Sequence, residues 1–325
     1  MAVFNAQTNG DEVVKAFASS VVSKTILITG PSTNGLGAQT AISLALGHPA
    51  HIILAGRTLS KVQPVISQIT AISPSTLVTF IELDLSSLSS VRKAATEVNS
   101  KIKKLDILIN NAGVMAVKNF EKSEDGIEMQ FAANHIGHFL LTNLLMEKIL
   151  KAGQEEGARI VNVSSGGYVC GRVRFEDWNF KDGAEYNPWL AYGQSKTANI
   201  LFAAGLAEKL KERGVLAFSV GPGLVVDTKL QTNITPEMFE EGYKIAVEAM
   251  KGEPLQPFDP KTLEQGASTT LYAALASDLK EISGAFLQNC ADSSETLLSH
   301  ANGVSNRDQL WALSEKLAGH EFPYA

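Results

Sequence analysis

The sequence predicts an α/β fold, a doubly wound domain in which a central parallel sheet of about seven strands carries helices on both faces. Two observations predict it. Apolar runs of strand length recur along the chain, each followed by a longer stretch of helical period, and that alternation marks parallel strands joined by helical crossovers. The runs are rich in Val, Ile and Leu with little polar alternation, as strands covered on both sides must be.

Strands are expected at residues 25–29, 51–55, 77–82, 107–110, 159–164, 216–220 and 285–288. Helices are expected at 36–46, 59–71, 87–100, 125–150, 192–213, 261–277 and 305–318. A short amphipathic helix at 11–18, with Val13, Val14 and Phe17 to one side, precedes the first strand and serves packing. No repeat, low-complexity tract or linker divides the chain, so residues 1–325 are expected to form a single domain. Two stretches break the rhythm, an insertion at 166–190 and a substrate lid at 224–260. Long segments of this kind are commonly binding lids, a structural excursion being the alternative. Phe175, Trp178, Phe180, Tyr186 and Trp189 in the first, and Leu230, Ile234, Met238, Phe239 and Tyr243 in the second, either pack or line an apolar pocket.

A net charge of -6 without a basic block argues against nucleic-acid binding through a phosphate-attracting field, while leaving room for a local basic pocket. Cys170 and Cys290 are too few for a disulfide framework and suggest a reducing compartment. The N-terminal segment lacks a basic start followed by an apolar core, and no stretch reaches membrane-span length, so a cytoplasmic location is expected. His135 and His138 can share a helix face, but no HExxH spacing or Cys/His cluster accompanies them and no metal site is expected.

Gly30, Gly35 and Gly37 fall between the first strand and the first helix, where small residues let backbone amides approach a pyrophosphate at a helix N-terminus. The position suits a Rossmann-type NAD(P) crossover, in which Ser32, Asn34 and Leu36 are expected to complete the cradle, a glycine turn without a ligand being the alternative. About 20 residues on, where a carboxylate would select NAD, the chain has Arg57, with Lys61 one turn later. The expected cofactor is therefore NADP(H), against the reading that Arg57 is a solvated surface charge. Asp84, followed by Leu85, either accepts from an adenine amino group or caps the next helix. The run Asn110-Asn-Ala-Gly113 closes the fourth strand, and Asn111, Ala112 and Gly113 either let the backbone pass close to the cofactor or form a plain turn.

Tyr192 and Lys196 are four residues apart on an expected helix and so share a face. A free phenol titrates near about 10, and a neighbouring cation is expected to lower that value toward the range of a general acid or base. Ser165, just beyond the fifth strand, is preferred over Ser164 as the hydroxyl delivered to the carboxyl edge of the sheet.

Taken in order, the glycine loop, Asn-Asn-Ala-Gly, Asn134, Ser165, Tyr192-x-x-x-Lys196 and Pro222-Gly223 resemble the short-chain dehydrogenase/reductase family, over roughly residues 24–290. Arg57 within Leu-Ala-Gly-Arg-Thr, the run from Leu83 to Arg92, and Asn134-His-Ile-Gly-His-Phe139 look most like its retinol-dehydrogenase-like and fungal reductase branch. The resemblance implies that Tyr192 exchanges a proton with the substrate oxygen while Ser165 hydrogen-bonds it. It implies that Lys196 binds the nicotinamide ribose and lowers the tyrosine pKa, that Asn134 anchors a water leading to solvent, and that Pro222, Gly223 and Thr228 border the cofactor. It also implies a homodimer paired through helices 125–150 and 192–213.

Three features depart from the family pattern. Four residues rather than three separate Gly30 from Gly35, Ser165 and Tyr192 lie 27 positions apart, and one extra residue precedes Thr228. The expected activity is that of an NADPH-dependent ketone or aldehyde reductase, or secondary-alcohol dehydrogenase, on an apolar small molecule of moderate size. The alternatives are an isomerase or dehydratase-like enzyme with the same tyrosine and lysine, and a nucleotide-binding scaffold without turnover.

Overall fold

The structure is a computed structural model and describes residues 4–226, 228–231, 234–251 and 260–324. Positions 227, 232–233 and 252–259 of the expected lid lie outside the described residues. Eight strands form one sheet: β1 (Thr25–Thr29), β2 (His51–Gly56), β3 (Leu77–Glu82), β4 (Ile107–Asn110), β5 (Ala158–Val163), β6 (Val215–Gly221), β7 (Phe286–Gln288) and β8 (Ala291–Asp292). Their order is β3-β2-β1-β4-β5-β6-β7-β8, parallel except for the antiparallel β7–β8 pair. The order reverses between β1 and β4, which opens the crevice where ligands bind in doubly wound sheets. Ile28 pairs with Leu54 on one side and Ile109 on the other, bringing the ends of β1, β2 and β4 to one edge.

β8 was not expected. It spans two residues and is reached through Asn289 (φ 51°) and Cys290 (φ 59°), a pair of left-handed residues of the kind that suits a tight hairpin.

Eleven α-helical segments occur among the described residues: α1 (Gly10–Ala16), α2 (Leu36–Ala45), α3 (Leu59–Ile72), α4 (Leu88–Lys101), α5 (Met129–Phe131), α6 (Gly137–Leu144), α7 (Met146–Glu155), α8 (Pro188–Lys209), α9 (Pro236–Ala249), α10 (Leu263–Leu275) and α11 (Val304–Ala318). The single helix expected at 125–150 is three pieces. An antiparallel bridge between Lys122 and Glu128 holds the chain extended before α5, whose first amides are taken by the buried Glu128 carboxylate. A π turn, Ala132–Ile136, joins α5 to α6, and α7 follows after Leu145. α8 starts before residue 192, because Asn187 caps it, accepting from Trp189 N at 2.9 Å and Leu190 N at 3.1 Å, and Pro188 opens its first turn. α9 lies inside the stretch read as irregular.

Side chains alternate between the two faces of the sheet. Leu27, Ile53, Leu108 and Ile160 enter a core with α4, α6, α8 and α11, whereas Ile26, Ile28, Ile52 and Ile109 meet α1, α2, α3 and α10. α11 packs Trp311 on Phe139 (5.3 Å between centroids) and Phe202 (5.8 Å). A Cβ on Gly205 would stand 2.8 Å from that indole. The helices expected to pair in a dimer, α6 and α8, thus carry the chain's own α11 on part of their surface. Among the described residues no helix is long and apolar enough to cross a membrane.

Candidate active site

Four elements converge at the carboxyl edge of β4, β5 and β6. β5 ends in Ser164 and Ser165, and the two hydroxyls diverge. Ser164 donates to the main-chain carbonyl of Lys196 at 2.8 Å and is consumed in packing. Ser165 instead accepts from Gly167 N at 3.0 Å, capping the 3-10 turn Gly166–Cys170, and its hydroxyl lies beside the Tyr192 ring around Gly167.

Tyr192 lies in the first turns of α8 and is only 3% exposed. Two glycines permit this. A Cβ on Gly167 would stand 2.8 Å from Cε1 of the tyrosine, and a Cβ on Gly193 would run into the backbone of Gly171, where the chain crosses α8. Burial is the dominant influence on the phenol and pushes its pKa up to about 12, with the neighbouring Ser165 hydroxyl opposing. This reverses the expected lowering by Lys196. The ammonium stands 5.7 Å from the ring centroid, and four-residue spacing alone could not reveal how deeply both groups sit.

Lys196, 4% exposed, donates to Val163 O at 3.0 Å, and burial lowers its pKa to about 8. Asn134, in the π turn, is fully buried. Its amide bridges Val114 and α8: Oδ1 accepts from Val114 N (2.8 Å), while Nδ2 donates to Val114 O (2.9 Å) and Ser195 Oγ (2.9 Å). Gly113 lies between these groups, since a Cβ there would stand 3.1 Å from Asn134 Oδ1 and 3.5 Å from Lys196 Nζ. Asn134, Ser165, Tyr192 and Lys196 therefore occupy one site.

The glycine loop is anchored at both ends. Thr33 bonds the carbonyl of Lys61 through its amide (3.0 Å) and hydroxyl (2.9 Å), which sets Ser32 and Asn34 beside the first turn of α3. Gly30 has φ +68° and a Cβ there would stand 2.8 Å from Ala112 Cα, while a Cβ on Gly37 would stand 2.7 Å from Gly30 O. Gly35 is the N-cap of α2 and no side chain caps that helix, so its leading amides near Leu36 face the crevice in the manner of an anion cradle. Arg57 and Lys61 are exposed and enter no ion pair among the described residues.

Asp84 does not cap α4, which corrects one of its two readings. Ser87 is the cap, while Asp84 Oδ1 accepts from Ser86 N (2.9 Å) and Ser86 Oγ (2.6 Å). The carbonyl of Leu85 touches Gly137 so closely that no side chain fits there. Asn111 uses its side chain as a strut, donating to Thr29 O at 2.8 Å and Gly30 O at 3.3 Å. Pro222 and Gly223 (φ +86°) follow β6, and Thr228 Oγ1 donates to Val225 O at 3.3 Å.

Of the insertion's aromatics, Trp189 alone stands near the tyrosine, at 6.3 Å between centroids. Phe175 and Trp178 join the main core, and Phe180 and Tyr186 pack on each other. From the second excursion Ile234 and Met238 join Trp189, Tyr192, Met115 and Cys170 in an apolar cluster, whereas Leu230, Phe239 and Tyr243 are exposed. α9 is pinned there by Trp189 Nε1, which donates to Met238 O at 2.6 Å. Sequence reasoning missed Thr29, Gly171 and His138 as parts of the site. A hydroxyl directly before the glycine loop, and Gly193 beside the tyrosine, whose lack of a side chain admits Gly171, were the available signals.

A family model described as short chain dehydrogenase matches residues 24–239. The chain is 37% identical to retinol dehydrogenase 12 of Mus musculus, over 91% of this chain and 86% of that protein. It is 40% identical to the chloroplastic short-chain dehydrogenase TIC 32 A of Brassica napus, over 90% and 88% respectively. A solved structure of an uncharacterized protein from Mycobacterium paratuberculosis matches with a TM-score of 0.68 at 33% identity, covering 94% of this chain and 98% of that one. The chain belongs to the short-chain dehydrogenase family, in its retinol-dehydrogenase-like branch. The family consists of oxidoreductases that use nicotinamide cofactors.

Proposed function

We propose that this protein is an NADPH-dependent oxidoreductase interconverting an apolar ketone or aldehyde of moderate size with its alcohol, Tyr192 acting as general acid and base. The observation that carries the reading is the meeting of Asn134, Ser165, Tyr192 and Lys196 beside the apolar cluster of Met115, Trp189, Ile234 and Met238. The whole chain acts as one dinucleotide-binding domain, with 166–190 as an insertion and 224–260 as the lid over the substrate. Both cysteines are free and buried, which fits a reducing compartment, for which the cytoplasm is our reading.

The residues present fit a dinucleotide. The uncapped start of α2 with its glycine loop suits a pyrophosphate, and Gly113 leaves room beside Lys196 that a side chain would fill. Gly30, Ser32, Asn34, Gly35, Leu36 and Gly37 would hold the pyrophosphate side, with Arg57 and Lys61 on a 2′-phosphate. Asp84 and Leu85 would meet the adenine. Asn111, Ala112, Gly113, Lys196, Pro222, Gly223 and Thr228 would border the nicotinamide half. The bound nicotinamide supplies or accepts the hydride.

With its pKa near 12, Tyr192 holds its proton at neutral pH, which suits donation to the oxygen of a carbonyl being reduced. Ser165 Oγ already accepts from Gly167 N, so its own hydrogen is available for the same oxygen and stabilises charge as it develops. Lys196 keeps a positive charge below pH about 8 and favours the phenolate left after transfer. The names of the retinol dehydrogenase relatives point to an apolar alcohol or aldehyde, as the apolar cluster does. A screen of NADPH consumption over ketones and aldehydes of graded size tests the reading. Steady turnover of at least one apolar carbonyl is expected, and NADPH binding without consumption across the panel would favour the scaffold alternative.

A further inference from the structure

His138 is buried and has no place in the chemistry above, yet it stands between two parts of the site. It lies four residues after Asn134, on the same helical face, just past the π turn. Such a turn displaces the carbonyl-to-amide ladder by one residue, and the main-chain carbonyl of Asn134 accepts from His138 Nδ1 at 3.0 Å. Across the ring, Nε2 is 2.8 Å from the hydroxyl of Thr29 at the end of β1. Thr29 Oγ1 in turn accepts from the amides of Asn111 (2.9 Å) and Ala112 (3.0 Å).

Thr29 Oγ1 also lies 3.5 Å from the carbonyl of Ile109, but the shorter 2.8 Å contact with Nε2 favours one arrangement of hydrogens. A carbonyl oxygen only accepts, so Nδ1 carries the proton. A neutral imidazole then offers Nε2 as an acceptor, and Thr29 must donate to it. Both lone pairs of the hydroxyl are matched by the two amides, and each group is used once. Burial, reinforced by the charge of Lys196, lowers His138 to about 4, so the neutral ring this order requires is the form present at neutral pH.

We propose that His138 is a positioning residue for the reaction: it fixes the Asn134 carbonyl and, through Thr29, couples it to the Asn111–Ala112 turn. The proton-handling end of the site and the turn assigned to the cofactor are then held as one unit. The proposal rests on the oxidoreductase reading above, in which Asn134 and that turn both serve the reaction.

Two variants separate positioning from packing. His138→Leu fills space but leaves the Asn134 carbonyl and the Thr29 hydroxyl buried without the ring. His138→Asn restores a donor at the place of Nδ1 while leaving the Thr29 side unmade. With an active carbonyl substrate, kcat of His138→Leu is expected to fall about 10- to 100-fold, the range for small misplacements of reacting groups, with KM little changed. His138→Asn is expected to recover only part of that loss, the share owed to the Asn134 carbonyl, the rest belonging to the unmade Thr29 link, while being no more stable in urea than the leucine variant. Full kcat in His138→Leu, or equal kcat loss in both variants tracking their stability, would overturn the proposal. Should His138→Leu not fold, His138→Asn beside Thr29→Val carries the same comparison, with the valine variant expected to show the larger kcat defect. Independently of turnover, imidazole nitrogen NMR of the wild-type protein at pH 7 should show a protonated Nδ1 and a bare Nε2 on His138. A protonated Nε2 would refute the coupling, whereas a wild type that consumes no NADPH refutes the activity and leaves the tautomer result to judge the coupling.

Discussion

Replacing Lys196 by methionine should make the protein more stable while silencing it. The lysine is 4% exposed, and burial lowers its pKa from 10.5 to about 8. At about 1.36 kcal/mol per pKa unit, holding the ammonium in this site costs on the order of 3 kcal/mol. Methionine matches the stem without the charge, and the carbonyl that Lys196 leaves behind keeps a partner, since Asn199 Nδ2 also donates to Val163 O at 3.1 Å. The sign follows from linkage. Below pH about 8 the lysine is charged in both the folded and the unfolded chain, and the full cost is present. Between about 8 and 10.5 the folded lysine has released its proton while the unfolded one retains it, so the cost fades. Urea unfolding of both proteins should therefore show Lys196→Met more stable by up to about 3 kcal/mol at pH 7, with the gap closing toward pH 10. A methionine variant less stable at pH 7, or a gap that does not change with pH, would refute the reasoning.

Other outcomes follow from the same geometry. Arg57→Ala should lower the ratio of NADPH to NADH efficiency by about 10- to 100-fold, the worth of a hydrogen bond to a charged group, and steady-state kinetics with both cofactors would check it. Gly193→Ala should cost about 3 kcal/mol, the upper end for overpacking, because the obstructing neighbour is the Gly171 backbone rather than a flexible side chain. Chemical denaturation reads this directly. The kcat/KM for carbonyl reduction should hold steady near neutral pH and fall above pH about 8, as Lys196 loses its charge, and a profile level to pH 10 would contradict the role given to it.

The strands of the sheet were legible because most are short apolar runs rich in Val, Ile and Leu, and only β8, two residues long, escaped. Tyr192 and Lys196 were legible because four-residue spacing puts two side chains on one helix face. α9 was not, because Glu237, Glu240 and Glu241 share its outer surface with the exposed Phe239 and Tyr243 and blur the helical period. Spacing also carries no information on depth. It brought a cation to the phenol correctly yet gave the wrong direction for the tyrosine pKa, which is set by 3% exposure rather than by the charge. The contacts of His138 with Thr29, and of Gly193 with Gly171, join residues far apart in the chain and become visible only once the sheet has formed.

The central claim is that the Tyr192 phenol passes its proton to an oxygen whose carbon receives hydride from NADPH. Wild-type protein and Tyr192→Phe, both supplied with NADPH deuterated at the transferable position and one active carbonyl, test it together. The account predicts one deuterium on the carbinol carbon of the wild-type product and a loss of kcat of at least about 100-fold in the phenylalanine variant, the scale of one positioned proton donor. Full turnover by Tyr192→Phe, or a product free of label, would contradict it.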